Sequence, residues 1–267
     1  MSILFNTIRK VIYKTLATLR PVEIGPFILC YHSISQSNWD HAIDANVFKR
    51  QINFLFYKYK LLNLDSIKKI LDGTAVNPKT PSFLLTFDDG YKDILSIKEF
   101  LKEKNIKPIL FLIADDANAD KTQLKNSLEF LTNDEIKLLI ADGWEIGSHS
   151  STHKNFWELT QADIQNEIFE SKQILEKTFN TKIRAFSYPR GRYTPEIIDA
   201  VKKAGYEFAI TMDDDEITKD TNPYLLPRIG INKSHDFGEF TATILEPSIK
   251  FRRFVKSFAG GLVKKVL

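Results

Sequence analysis

What most narrows the fold of this chain is a repeated change of period. Short apolar runs at Phe27–Tyr31, Phe83–Phe87, Ile109–Ile113, Glu145–Gly147, Ala185–Tyr188, Phe208–Thr211 and Leu225–Ile231 alternate with segments of helical period. The helices expected between them are Asn46–Lys58, Ser66–Leu71 after Asp65 as a cap, Asp93–Glu103, Asn133–Ala141 after Thr132, Thr160–Phe179 and Pro195–Ala204. Strand–helix alternation predicts a mostly parallel sheet. The number of units predicts a single α/β domain, a distorted (β/α)7-type barrel. In such folds the chemistry sits at the C-terminal ends of the strands. Any candidate site residue has to meet that demand.

Composition closes off other classes. The chain is 43% hydrophobic over 267 residues, enough for a large core and too much for disorder. No window approaches the ~18 consecutive apolar residues of a spanning helix. The single cysteine, Cys30, excludes an intramolecular disulfide framework and fits a reducing compartment.

The net charge of +3 conceals a division. Residues 1–20 carry Arg9, Lys10, Lys14 and Arg20 with no acid, and residues 248–267 carry Lys250, Arg252, Arg253, Lys256, Lys264 and Lys265 with no acid. The middle, 21–247, is acidic. Leu4, Ile8, Ile12, Leu16 and Leu19 recur at helical spacing, as do Phe251, Phe254, Val255, Phe258, Leu262 and Val266. The expected organisation is an amphipathic basic helix (1–20), a barrel (21–247) and an amphipathic basic tail (248–267). Basic amphipathic ends suit an anionic membrane surface; two helices packed on the body with their lysines in solvent account for them as well. Arg9, Lys10 and Lys14 interrupt the place of a signal-peptide apolar core, so a cytoplasmic protein, peripheral on the inner membrane face, is expected. An acidic body without a basic stripe argues against nucleic acid.

Several strand ends carry chemistry. Leu84-Leu85-Thr86-Phe87-Asp88-Asp89-Gly90 runs an apolar strand into two carboxylates and a turn glycine. One carboxylate can bind a cation while its neighbour acts as a base, although a solvated Asp-Asp-Gly turn is ordinary turn chemistry. In Glu145-Ile146-Gly147-Ser148-His149-Ser150-Ser151-Thr152-His153, His149 and His153 stand four apart, which on one helical turn places both on one face. Two of only five histidines at ligand spacing, with an Asp, make a three-ligand site with open positions, as in hydrolytic metal centres. Ser187-Tyr188-Pro189-Arg190-Gly191 ends a further strand, Tyr31-His32 another, and Leu226-Pro227-Arg228 offers a cation to a carboxylate.

This set resembles the polysaccharide deacetylase family, the family-four carbohydrate esterases. Thr86-Phe87-Asp88-Asp89-Gly90 and His149-Ser150-Ser151-Thr152-His153 match closely, and Ser187-Tyr188-Pro189-Arg190-Gly191 matches in part, over about residues 27–235. The resemblance implies metal-dependent removal of an N-acyl group, here N-acetyl, from an amino sugar. It implies that Asp89, His149 and His153 hold a divalent metal, zinc above all, and that Asp88 is the base. Tyr188, or a backbone N–H beside it, would stabilise the oxyanion, and Tyr188, Pro189, Arg190 and Gly191 would face substrate.

Two departures stand out. Many members have an Arg two residues before the third motif's Pro; here Ser187 stands there, so Arg228 or Arg190 must substitute. No late Leu-x-His supplies the general acid, which makes the chain similar to the permuted subgroup with an early Tyr-His. That implies His32 as the acid, with His235 as rival. The expected substrate is an amino-sugar glycan or a polyprenyl-linked sugar. A deformylase of a lipid-linked amino sugar and a non-catalytic glycan-binding relative are the alternatives.

Overall fold

The computed structural model describes residues 10–263 except 14, 17, 19–21, 76–79, 123 and 126, and for 256–263 the backbone alone. Among the described residues, eight strands form one sheet: β1 (Pro26–Tyr31), β2 (Lys60–Leu61), β3 (Ser82–Asp89), β4 (Ile109–Leu112), β5 (Glu145–Ser148), β6 (Ala185–Ser187), β7 (Phe208–Ile210) and β8 (Ile229–Gly230). The order is β7-β6-β5-β4-β3-β1-β8, with β2 beside β3 and all pairings parallel. The segment ending in β8 touches both edges of this curled sheet. Leu226 bridges to Ile210 of β7, while Ile229 and Gly230 pair with Leu29 and Cys30 of β1. The result is a distorted (β/α)7 barrel in a single domain.

The period of two sorts each strand. Phe83, Leu85 and Phe87 of β3 join the larger apolar cluster with Leu29, Leu110, Ile146 and Phe186. Leu84 joins a second cluster with Ile28, Ile109, Phe111, Ala185, Phe208, Ile210 and Leu226, together with Leu64, Ile67 and Ile70 from the helix Leu64–Leu71. That second cluster fills the barrel. Alternation then carries Thr86 and Asp88 onto the same inner face one and two steps above Leu84, and likewise Ser187 above Ala185 and Arg228 above Leu226. Gly147 makes room inside: a Cβ there would stand 2.3 Å from the Phe111 ring.

The helices follow their caps. Thr132 and Glu135 form a reciprocal capping box before Asn133–Ala141, and Thr160 caps Gln161–Phe179 through the Asp163 N–H. Two expectations need correction. The cap of Leu64–Leu71 is Asn63, not Asp65, because the Asn63 side chain accepts the Ser66 N–H at 2.8 Å and Leu64 is already buried inside the helix. The segment after Asp-Asp-Gly is a 3-10 turn, Lys92–Ile97, before the α-helix Lys98–Glu103. Asp93 does not cap it; its carboxylate accepts from the Ser33 hydroxyl and the Ile34 N–H of the loop after β1.

Where the ends are described, they pack on the body. Residues 10–13 are helical, and Tyr13 is buried, edge-on to Phe251 at 6.3 Å. The helix Glu246–Val263 begins two residues before the expected tail. Lys10 pairs with Asp236 at 3.3 Å, Arg252 with Asp214 at 2.8 Å and Arg253 with Asp215 at 2.7 Å. End cations therefore meet acids of the middle. The readings placed on Leu4, Ile8, Arg9, Lys14, Leu19 and Arg20, and on the side chains of Lys256, Phe258, Leu262, Lys264, Lys265 and Val266, lie outside the described residues. Among the described residues, no helix is long and apolar enough to cross a membrane.

Candidate active site

A cavity of about 350 Å³ opens at the C-terminal ends of the strands. Its lining includes His32 after β1, Asp88 and Asp89 of β3, His149 and His153 after β5, and Arg228 before β8. The strand-end residues singled out in the sequence do converge. A larger cavity of about 450 Å³, beside Lys121–Asn133, brings no such groups together.

Alternation alone would point Asp88 and Asp89 to opposite faces. Asp89 escapes this with a φ of 71°, a left-handed conformation at the strand's last residue, followed by Gly90 at 83°. Both carboxylates thereby serve one cavity. The histidines converge by a different route from the one expected. Residues 149–153 form a loop rather than a helical turn, because Ser150 and His153 have φ of 67° and 56°. The loop is clamped from both sides. Buried Glu167 accepts the Thr152 N–H at 2.8 Å and the Thr152 hydroxyl, and the N–H groups of Ala114, Asp115 and Asp120 donate to the carbonyls of Ser150, Ser151 and Thr152.

Asp89, His149 and His153 form a compact donor set, with one ligand atom from each within 4.8 Å of the others. His149 Nδ1 lies 2.8 Å from the Ser187 carbonyl, which can only accept, so Nδ1 carries the proton and Nε2 the lone pair. That Nε2 lies 3.6 Å from Asp89 Oδ1, and His153 Nε2 lies 3.8 Å from the same oxygen. Asp89 Oδ1 and His153 Nδ1 are buried without hydrogen-bond partners among the described residues. A buried orphan carboxylate oxygen between two imidazoles is costly unless something binds there. Burial and the Asp88 charge push the Asp89 carboxyl well above the usual carboxylate range. Burial pulls both imidazoles down, His153 to about 3 with help from His149, so both are neutral and ready to ligate. One carboxylate and two neutral imidazoles suit a divalent cation such as zinc. The group is able to hold a metal.

Asp88 is tuned the opposite way. Burial pushes its carboxyl up, but the Arg228 guanidinium holds it well below the usual range. Arg228 Nη1 donates to Asp88 Oδ1 at 2.7 Å and Nη2 to Oδ2, a two-pronged contact between buried side chains. Nη2 also donates to the Ser187 hydroxyl at 2.8 Å, and that hydroxyl donates to Asp88 Oδ2 at 3.3 Å. Of the two arginines expected as partners for Asp88, Arg228 makes the contact. Arg190 does not reach Asp88; its Nη2 is 3.3 Å from Asp120 Oδ2.

Tyr188 lines the cavity. Its hydroxyl donates to the Tyr224 carbonyl at 3.0 Å and its N–H to the Ile210 carbonyl at 3.2 Å, so neither donor is directed at an oxyanion. Pro189–Gly191 form one 3-10 turn, with Arg190 at a φ of 60°. His32 is in the cavity, its Nδ1 4.0 Å from Cys30 Sγ, and burial and His41 pull its imidazole well below the ordinary value. His235 lines an adjoining cavity of about 250 Å³ instead, its Nδ1 2.9 Å from Asn232 Oδ1. Sequence reasoning passed over Trp39, His41 and Met212, which also line the site. The first two sit in the loop directly after a strand that ends in Tyr-His, a position that could have flagged them.

The cluster sits at the strand ends, where an α/β barrel places its chemistry. The family profile for polysaccharide deacetylase matches residues 75–209, and the chain belongs to that family and with it to the hydrolases. It is similar to YxkH of Bacillus subtilis (strain 168), with 28% identity over 229 residues, 85% of this chain and 78% of the relative. It is also similar to the poly-beta-1,6-N-acetyl-D-glucosamine N-deacetylase of Staphylococcus aureus (strain MRSA252), with 24% identity over 208 residues. That match covers 74% of this chain and 65% of the relative, a little under two thirds of its length. Among solved structures, IcaB from Ammonifex degensii superimposes with a TM-score of 0.73 at 20% identity, covering 85% of this chain and 98% of that one.

Proposed function

We propose that this chain removes the N-acetyl group from an amino sugar of a glycan in a metal-dependent hydrolysis. The observation that carries the reading is the opposite tuning of two adjacent carboxylates. Asp88 is clasped by Arg228 and stays ionised, while Asp89 lies between His149 and His153 with an orphaned oxygen. In this reading Asp89, His149 and His153 hold the cation. A divalent cation held there, zinc above all, would polarise the acyl carbonyl and lower the pKa of a water to about 7.

The remaining work falls to the chain. Asp88 takes a proton from the attacking water, and Arg228 and Ser187 fix the carboxylate in place for that transfer. His32 gives a proton to the nitrogen as the C–N bond breaks. It precedes the Asp-Asp motif in the chain, as in the permuted subgroup, and it shares the cavity with Asp88, which His235 does not. Tyr188, Arg190 and Gly191 line the substrate side, whereas Pro189, expected there too, is buried within the turn and does not line the cavity. The Tyr188 hydroxyl and N–H are engaged with the Tyr224 and Ile210 carbonyls, so Tyr188 is not assigned as an oxyanion donor.

The glycan reading is preferred to a sugar held on a polyprenyl carrier at a membrane. Lys10, Arg252 and Arg253, part of the basic ends that suggested an anionic surface, are engaged with acids of the barrel. Acetate release from a β-1,6-linked N-acetylglucosamine pentamer, measured with metal content, tests the reading. Stoichiometric zinc with acetate release is expected. Zinc binding with neither acetate nor formate release from any N-acyl sugar, polymeric or lipid-linked, would point to a glycan-binding relative.

A further inference from the structure

We propose that His41 is a proton relay for the leaving nitrogen: it holds a proton at the exposed side of the cavity and passes it to His32, which delivers it to the departing amine. The inference rests on the deacetylase reading and on His32 as the acid. It addresses a difficulty in that reading. His32 is partly buried, and both burial and its neighbour disfavour its charged form. An acid that must be charged once per turnover needs a source of protons.

The geometry supplies one. The His32 and His41 rings lie 4.6 Å apart, centre to centre, at 41° to one another, and both line the cavity that contains Asp88. Trp39 packs edge-on against each, at 6.0 and 5.1 Å, and holds the pair together. His41 is solvent-exposed, whereas His32 is partly buried. The loop that carries them is fixed at several points. The Ser33 N–H donates to the His41 carbonyl at 3.3 Å, the Ile43 N–H to the Ser33 carbonyl at 2.9 Å, and the Lys233 N–H to the Asp40 carbonyl at 2.7 Å. Asp93 holds the other limb through the Ser33 hydroxyl and the Ile34 N–H. The rings are therefore built into position.

Of the two, His41 takes a proton more readily. Burial lowers both imidazoles; Asp40 and then Asp88 favour the charged form of His41, whereas His32 meets deeper desolvation and the opposing charges of His41, Arg228 and His149, with Asp88 in its favour. The adjoining cavity, which both histidines also line, adds His235 and the Asp214–Arg252 pair, whose charges offset each other at 2.8 Å. Two imidazoles this close do not both hold a proton comfortably, so one proton is shared. The step balances. The C–N bond breaks with its electron pair on nitrogen, and the new N–H bond takes the proton of His32. His32 is recharged from His41, and His41 from solvent. The proton that Asp88 removes from water returns to solvent.

The test uses the full chain loaded with zinc and two substrates. A β-1,6-linked N-acetylglucosamine pentamer has a poor leaving nitrogen that must be protonated; 4-nitrophenyl acetate releases a phenolate that need not be. His41→Gln stays polar and cannot titrate. Its amide-to-ester rate ratio is expected to fall about tenfold or more, and added imidazole is expected to restore the amide rate of His41→Ala. Equal losses on both substrates would overturn the relay, because damage to the fold does not distinguish leaving groups. NMR titration of the histidine rings decides independently of turnover. His32 and His41 are expected to titrate as a coupled pair, and in His41→Gln His32 is expected to titrate in one step at higher pH. An unchanged His32 titration would overturn the proposal. If the wild type does not cleave the pentamer at all, the functional reading fails and the NMR result still decides whether the pair shares a proton.

Discussion

Arg228 grips both oxygens of Asp88 from 140 residues further along the chain, Nη1 at 2.7 Å from Oδ1 and Nη2 on Oδ2. Both side chains are almost fully buried, Arg228 at 1% and Asp88 at 2% exposure. Removing one partner of such a pair strands the other charge. Arg228→Met is expected to destabilise the fold by about 3–5 kcal/mol, measured by urea unfolding. Adding Asp88→Asn to that variant is expected to recover part of the stability and none of the activity. Arg228→Lys keeps the charge but loses the fork, and its hydrolysis rate is expected to fall between those of wild type and Arg228→Met.

Asp88→Asn preserves shape and removes the base. The expected loss of acetate release is about 10²–10⁴-fold, with zinc stoichiometry unchanged because the ligand set is Asp89, His149 and His153. Metal analysis of the purified variant beside its rate separates base from ligand. Full turnover in a variant that still binds zinc would sink the assignment.

Asp89 sets a pH dependence in the metal-free protein. Its folded pKa is raised by burial and by Asp88 above the unfolded value of about 3.9. The folded state then binds the proton more tightly, so its contribution to stability is full below that value and is lost as pH rises through the folded pKa. Metal-free Asp89→Asn is therefore expected to melt higher than metal-free wild type at neutral pH, with the gap closing toward pH ~4. Zinc at about 100 times its Kd is expected to stabilise the wild type by about 2.7 kcal/mol, or about 5–10 °C, and to do little for Asp89→Asn. Differential scanning fluorimetry across pH checks both.

Gly147 tests the barrel interior. A methyl group there would meet the Phe111 ring at 2.3 Å and the Ala185 carbonyl at 3.1 Å. Gly147→Ala is expected to cost about 1–3 kcal/mol in urea unfolding. Because His149 follows two residues later, a drop in zinc affinity is expected beside it.

Most strands were legible because their apolar runs are continuous, and the barrel because strand and helix alternate at regular spacing; β2, two exposed residues at Lys60–Leu61, carries no such run and was not. Asp88, Asp89, His149, His153 and His32 were found as strand-end polar residues, and the structure gathers them in one cavity. The route by which His149 and His153 meet was not legible. A spacing of four fits a helical turn, whereas left-handed Ser150 and His153 make a loop that Glu167 holds from a helix further along the chain. His41 was missed because its significance lies in a 4.6 Å contact with His32, nine residues earlier, and no local pattern records it.

Local chemistry is written in local sequence. The apolar period, the caps at Thr132 and Thr160, and the identity of the carboxylates and imidazoles at the strand ends were all determined there. Which of Arg228 and Arg190 clasps Asp88, and how two neighbouring aspartates come to hold opposite charge preferences, were decided only by the tertiary structure. An ionisable group answers to the burial and charges around it, and in a closed barrel those neighbours come from strands scattered along the whole chain.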